Sequence, residues 1–597
     1  NPYWINYRNL RENRKDRFML NAQMSYDILD WLNISGRVKM DQSTTKYTEK
    51  FYASTFTQLT ESSQNGLYGI SQMTDRQIYA DFLVNINKRF GQDWNLQVNL
   101  GTSISDMFYD ALKNRGPIAD GQMSAERAGI ANVFNVQNLS NSTKTTRLQD
   151  GWREQTQSIF GSAELGFKGA YYLTLTARND WPSQLAGPHS NRKSFFYPSI
   201  GGSVVLSQII PNMPKALEYL KIRGSYASVG TAFERYIANP MYSWNTSGLS
   251  WNTQTQYPVY DLKPELTNSF EIGLSMRFLQ YFNFDATYYH TNTKNQTFNP
   301  QISTGSGSSD IFIQSGDVRN QGLELTLGFG KTWNKFTWNS NYTFSFNENR
   351  IMSLAENVTN PATGEKFSVS QLDMNGLGLA HFILREGGTL GDLYSLGDFS
   401  YDSNGRIIVN EDGTVTTRTF SDTKDYVKLG SVLPKANMSW RNDFNVAGFN
   451  FGFLISARLG GIVYSSTQAI LDYYGVSEAS ALARDNGGVF LNGGDRLDAN
   501  KWYSSIGGSN PLPQEYTYSG TNVRLQEASV GYTFPRKMLG NVCDLNLSVV
   551  GRNLWMIYNK APFDPESIAT TGNYYQGIDH FMMPSLRNFG FSVRVTF

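Results

Sequence analysis

The chain has 597 residues, 40% hydrophobic and 14% aromatic, with 52 Lys and Arg against 51 Asp and Glu. A net charge of +1 leaves no electrostatic footprint for nucleic acid, and the single cysteine, Cys543, excludes an internal disulfide and any paired-cysteine metal site. Mean hydropathy is −0.41, and no apolar run is long enough for a spanning helix; a membrane barrel stays open, because its lipid-facing and lumen-facing residues alternate and cancel.

Period-two alternation dominates from the start. Phe18, Leu20, Ala22, Met24 and Tyr26 enclose Asn21, Gln23 and Ser25, and the next segment sets Leu32, Ile34, Val38 and Met40 against Arg37, Lys39 and Asp41. Further on, Tyr171, Leu173, Leu175 and Ala177 oppose Tyr172, Thr174, Thr176 and Arg178. Phe449, Phe451, Phe453, Ile455 and Ala457 oppose polar neighbours, with Leu454 the exception, and the chain ends on Phe589, Phe591, Val593, Val595 and Phe597. Roughly seventeen such segments are expected, most of them about 9–14 residues long, the length a tilted membrane strand needs. Their centres lie near Leu20, Val38, Val84, Val98, Leu165, Leu175, Gly202, Ile222, Ile272, Phe284, Leu325, Tyr342, Trp440, Phe453, Ser529, Leu547 and Val593.

The connections alternate in length. Leu29–Asp30, Gly91–Asp93, Lys168–Gly169, Asn334–Lys335 and Ala447–Gly448 read as tight turns. Between them lie long polar stretches near 44–74, 107–150, 230–262, 294–316, 348–432, 461–518 and 553–583. Short periplasmic turns and long outer loops are the asymmetry of outer-membrane barrels. A soluble sandwich has shorter strands, and a propeller has a fixed repeat, which is not found. The fold class expected is therefore all-β, a transmembrane antiparallel barrel. With the C-terminus periplasmic, counting back seventeen strands makes the first one run downward and places residues 1–14 in an outer loop. An odd count cannot close an even-stranded barrel, and the chain begins at Asn1 with no Met and no export signal. The expectation is one barrel domain over 1–597, incomplete at its N-terminal side.

Several stretches carry a family resemblance. Asn1-Pro2-Tyr3-Trp4, Asp16-Arg17-Phe18 and Trp31-Leu32 come first, followed by Arg178-Asn179-Asp180-Trp181 with Phe196-Tyr197-Pro198. The strongest run is Asn522-Val523-Arg524-Leu525-Gln526-Glu527, then Gly531-Tyr532-Thr533-Phe534-Pro535, Gly551-Arg552-Asn553-Leu554 and Asp564-Pro565-Glu566. In this order, across essentially the whole chain, they resemble the SusC/RagA family of TonB-dependent outer-membrane transporters of Bacteroidetes. The resemblance implies a barrel of twenty-two strands, with signal peptide, plug, TonB-contacting segment and first strands upstream of residue 1. It further implies coupling to TonB-ExbB-ExbD, a SusD-like surface lipoprotein as partner, and import of oligosaccharides or oligopeptides.

Chemistry of other kinds is hard to find. Gly330-Lys331-Thr332 lacks the earlier glycine of a phosphate loop, since position 325 is leucine, and it ends a strand. His189, His290, His381 and His580 are scattered, and no nucleophile elbow is present, so neither an enzyme nor a cofactor is expected. Asp402-Ser403-Asn404-Gly405 resembles the start of a calcium loop, but Ile407 and Gly413 stand where glycine and glutamate belong; a hairpin turn explains Asp402 and Asn404 more simply. Charges on the polar phase are the informative set: Arg37, Lys39, Asp41, Arg178, Lys221, Arg223, Glu271, Arg277, Asp285, Glu324, Arg458 and Arg594. They read as a solvated lumen wall, with Arg37, Lys39, Asp41, Arg223, Glu271, Arg277, Glu324 and Arg458 as candidate substrate contacts. The loop aromatics Trp244, Trp251, Tyr257, Tyr473 and Tyr474 are candidates for stacking on sugar or packing on peptide. The function expected is energy-coupled import across the outer membrane; the rivals are a passive porin and a surface adhesin or assembly barrel.

Overall fold

The computed structural model describes residues 2–124, 127–187, 193–237, 244–245, 250–251, 262–298, 312–359, 365–570, 572 and 575–597. Seventeen antiparallel strands form one sheet. They are β1 (Asn9–Leu29), β2 (Leu32–Tyr52), β3 (Gly66–Phe90), β4 (Trp94–Pro117), β5 (Thr146–Phe167), β6 (Tyr171–Pro182), β7 (Phe195–Val205), β8 (Leu217–Thr231) and β9 (Glu265–Phe278). Next come β10 (Phe282–Phe298), β11 (Ile313–Trp333), β12 (Phe336–Ser353), β13 (Ala436–Val446), β14 (Phe449–Leu459), β15 (Asn522–Phe534), β16 (Asp544–Asn559) and β17 (Asn588–Thr596). Each strand pairs with the next in sequence, so the sheet is a meander. Among the described residues β1 and β17 do not pair with each other, and the sheet is open along that seam. Every segment centre read from the sequence falls inside a separate strand of this meander.

Connections alternate strictly between short and long. Short ones include Asn334–Lys335, closed by the Trp333–Phe336 pair, where Asn334 takes φ 52°, the left-handed conformation that a two-residue hairpin demands. The long connections all lie at the other end of the sheet. β1 starts at that end, and a short helix, α1 (Pro2–Arg8), precedes it; residues 9–14, expected in a loop, are already strand.

Strand length is the main departure from expectation. β1 to β5 have 21, 21, 25, 24 and 22 residues. The register explains why alternation understated them. Outward positions are apolar, or at least uncharged and small, at every second residue over 18–26 on β1, 32–40 on β2, 78–86 on β3, 96–104 on β4 and 159–167 on β5. Just above these windows the outward residues are Asp16, Gln42, Arg76, Asp106 and Gln157. Nine residues at ~3.3 Å rise and ~40° tilt span about 20–25 Å, close to the ~25 Å apolar band of an outer-membrane barrel. Alternation thus reports only the height of hydrocarbon. Above it both faces meet water and the period-two signal vanishes, while the hydrogen-bond ladder continues. The stretch 44–74, expected as a loop, is therefore strand except for 53–65.

The longest outer connections fold as a domain of their own. Residues 354–435 contain a four-stranded sheet (Gln371–Leu377, Ala380–Arg385, Asp392–Ser395, Val427–Ser431). Residues 460–521 contain α2 (Ser466–Tyr473), α3 (Glu478–Asp485) and α4 (Ala499–Ile506). Ser465, Ser477 and Asp498 cap these helices, their side chains accepting from backbone N–H groups of the first turn. Ala380, Phe382, Leu393, Tyr464, Trp502, Tyr516 and Ile578 share one hydrophobic core that draws on three connections, 354–435, 460–521 and 560–587.

Candidate functional site: the inner wall of the barrel

The inward face can be followed strand by strand from the register. Arg37 stands opposite Gln23 and Asp81, Arg178 opposite Phe160 and Tyr197, Arg223 opposite Ser203 and Gly273, and Arg458 opposite Asn437 and Asn522. All twelve charges picked from the polar phase sit on this face, because a strand that alternates apolar-out must put its charges inward.

Some of these charges are consumed by the wall itself. The Arg37 guanidinium donates to Asp81 at 2.6 Å, and Arg17 donates to Asp41 at 2.5 Å. Arg178 donates to Asp180 and to Ser158, both at 2.8 Å, and lies over the Phe160 ring. Arg223 lies 3.5 Å from Asp285 and donates to Ser275 and Thr287, spanning β9 to reach β10. It can cross because Gly273 presents no side chain: a Cβ there would stand 2.6 Å from the guanidinium. Arg458 donates to the Val432 carbonyl at 2.9 Å and Arg277 reaches Asn283 at 3.4 Å. Lys39, Lys221, Glu271, Glu324 and Arg594 form no ion pair among the described residues. Glu271 and Lys221 join Arg223 and Glu164 around a niche of about 240 Å³ in the wall, floored by Gly201 and Gly273.

Other wall residues were invisible as a site in the sequence. Glu527 receives Arg552 at 3.1 Å and Arg441 at 3.5 Å, linking β13, β15 and β16. At the outer end of β15, buried Arg524 bridges Asp564 at 2.9 Å and Glu566 at 3.2 Å and also meets Asn522. Tyr197 donates to Asp180 at 2.5 Å. The short motifs that carried the family resemblance are thus the two ends of long-range contacts. Arg178-Asn179-Asp180 meets Phe196-Tyr197-Pro198, and Asn522-Val523-Arg524 meets Asp564-Pro565-Glu566. What the sequence could not supply is the pairing.

The turn at Asp402 is a hairpin end. One carboxylate oxygen accepts the backbone N–H groups of Asn404 and Arg406 at 2.8 and 2.9 Å, which holds its pKa below the usual carboxylate range, and Gly405 takes φ 76°. Lys331 lies inside β11 with its ammonium 3.9 Å from the centre of the Tyr281 ring. Of the loop aromatics, Trp251, Tyr473 and Tyr474 are exposed; Tyr257, like His189 and the side chain of Trp244, lies outside the described residues. The apolar run Phe382-Ile383-Leu384 is fully buried, because it lies on an inner strand of the loop domain's four-stranded sheet. In Val489-Phe490-Leu491 only Phe490 is exposed, while its neighbours pack against the loop core.

A seventeen-strand antiparallel meander with an outward apolar band, a charged inner face and long connections at one end defines a membrane-spanning barrel of the outer-membrane kind. The chain belongs to the family described as TonB dependent receptor-like, beta-barrel, whose profile matches residues 1–431. It is similar to TonB-dependent receptor P3 of Formosa agariphila, 23% identical across 100% of this chain and 60% of that protein. It is also similar to TonB-dependent receptor P39 of the same organism, 22% identical across 86% of this chain and 52% of that one. Among solved structures the RagAB peptide transporter shares the fold, with TM-score 0.74 and 16% identity over 100% of this chain and 63% of that one. The RagAB peptide importer in its open-open state gives 0.71 and 14%, over 100% and 62%. The chain therefore spans 60% or less of the curated relatives named here.

Proposed function

We propose that this chain is the greater part of the barrel of an energy-coupled outer-membrane importer of oligosaccharides or oligopeptides. A plug, a TonB-contacting segment and the first strands would belong to the whole protein, so that residues 1–597 form one barrel domain lacking its N-terminal side. The observation that carries the reading is the loop domain. Three outer connections share one buried core, which holds a rigid surface beside the mouth of the barrel. Connections this long are functional far more often than they are mere links. Tyr474, Val476 and Phe490 project from that surface, each more than 60% exposed, and supply the apolar anchors a protein partner uses. The partner proposed is a SusD-like lipoprotein that closes over the lumen, with TonB-ExbB-ExbD supplying the energy. A wide pore gains selectivity only if substrate is captured before the plug moves. Lys39, Lys221, Glu271 and Glu324, which form no ion pair among the described residues, are the inner charges best placed to meet substrate or plug. Likeness to the RagAB structures is one of fold, and both substrate classes remain in the proposal.

The test is a Tyr474→Asp, Phe490→Asp double variant of the full-length protein. Expected are normal membrane insertion, loss of lipoprotein co-purification and reduced uptake of the native oligomer. Unchanged co-purification refutes the docking surface. Uptake that persists after removal of TonB refutes the importer and favours a passive porin.

A further inference from the structure

Between β7 and β8 the lipid-facing side of the wall has no side chains at mid-height. Gly202 and Gly224 are direct partners in the ladder, and the same row continues outward to Leu173 on β6 and Ile272 on β9. Neither glycine is needed by the fold. A Cβ on Gly202 would meet nothing nearer than the Tyr172 carbonyl at 3.9 Å, and one on Gly224 nothing nearer than the Glu271 carbonyl at 3.7 Å. Both have ordinary strand conformations, absent from the positive-φ set. Glycine inside a strand forfeits packing and conformational entropy, and where the chain does not require it, it marks close approach by something else.

What the two glycines create is a slot of about 510 Å³, flanked by Leu165, Leu173, Ile222 and Ile272 and floored at its periplasmic end by Trp94 and Tyr171. Trp94, Phe167 and Tyr171 follow one another there as tilted rings, with centres 4.4 and 6.2 Å apart, in an interfacial aromatic cluster. Directly beyond them, in the turn joining β5 to β6, Lys168 is exposed and holds its ammonium 5.2 Å from the centre of the Phe167 ring.

We infer that this slot holds one acyl chain of an inner-leaflet phospholipid, whose anionic headgroup is met by Lys168. The slot opens within the apolar band, so its occupant is hydrocarbon. It is two strands wide, roughly 10 Å, with Leu173 and Ile272 standing at its sides. A single unbranched chain reaches the floor, whereas a second barrel, which needs about 1,200 Å² of matched surface, rests on the rims. A chain in contact with glycine backbone on one side and branched side chains on two others gains many dispersion contacts over a chain in bulk lipid. The inference rests on the barrel reading and is independent of what the barrel transports.

The test fills the slot. The full-length protein and its Gly202→Leu, Gly224→Leu variant are incorporated into nanodiscs of phosphatidylglycerol and phosphatidylethanolamine, extracted into mild detergent, and weighed by native mass spectrometry. The wild type is expected to retain phospholipid about fivefold more than the filled variant, because the leucines displace the chain from its contacts. Lys168→Gln is expected to keep the retained lipid but to lose the preference for phosphatidylglycerol. Gly224→Val, which adds only a short branch, provides the comparison if the double variant inserts poorly. Equal retention by wild type and filled variants overturns the proposal. So does a wild-type dimer that the filled variants abolish, which would make the slot a contact between copies.

Discussion

Replacing Leu175 with arginine tests the assignment of the two wall faces directly. Leu175 lies opposite Ala163 on β5 and Ile200 on β7, both outward. Tyr171 and Leu173 stand below it on the same face and Ala177 above, before Asn179, so it sits near the middle of the apolar band. A guanidinium there can reach about 6 Å, which does not clear half of a ~25 Å band, so little of the penalty is relieved by bending toward water. The expected cost is ~2–4 kcal/mol. Thr174, one residue away, faces inward and donates to Glu164 at 3.2 Å. Arginine at that position meets water and a carboxylate, and its expected cost is below about 1 kcal/mol. The assay is reversible denaturant unfolding of each variant of the full-length protein in lipid vesicles, read by the slower gel migration of the unfolded barrel. Equal costs would contradict the phase assigned to β6, and a larger cost for Thr174→Arg would show it to be inverted.

Arg524→Ala should cost about 3 kcal/mol of local stability, because it strands Asp564 in a half-closed crevice, and it should expose 560–587 to limited proteolysis while the barrel stays folded. The same tether has a pH signature. Burial alone would raise the Asp564 pKa, but the Ser585 hydroxyl, the Glu566 N–H and Arg524 outweigh it and hold it below the usual carboxylate range. Its contribution is therefore fully present above about pH 4 and is lost as pH falls through the depressed value, so wild-type proteolysis of this loop should rise only in acid. Asp472 behaves oppositely: burial pushes its pKa up despite donation from Ser477 and Gln468, so the folded loop domain holds its proton more tightly and loses stability as pH rises through the raised value. Asp472→Asn should flatten that dependence, seen as loop-domain melting followed upward from about pH 4; an unchanged slope would discount this carboxylate. Phe382→Ala should destabilise the loop domain by about 3–5 kcal/mol through the cavity it leaves, and should abolish lipoprotein binding without unfolding the barrel; retained binding would separate the two.

Local chemistry was enough to determine the strands' existence, their number, their inward and outward faces and the side of the sheet that carries the long connections. Outward residues such as Leu20, Val38 and Leu175 alternate with inward Asn21, Lys39 and Thr174 because each strand is solvated by hydrocarbon on one face and by the lumen on the other. Alternation needs no knowledge of neighbours, so one chain sufficed to read it. It ends where the hydrocarbon ends, and the upper halves of β1 to β5 were hidden for that reason. The tertiary structure decided everything that depends on register over long separations. Arg37 and Asp81 face each other only because β2 and β3 pair to full length, and Arg524 finds Asp564 only because the last long connection folds back on β15. The same holds for Phe382, which shares its core with residues of two other connections, 460–521 and 560–587, and for Leu384, which shares another with Phe298, Val318 and Ile351 of β10, β11 and β12. The inner wall likewise settled which charges neutralise one another and which do not. Lys39 and Lys221 look no different from Arg37 and Arg223 in sequence, and among the described residues only the two arginines find an ion-pair partner.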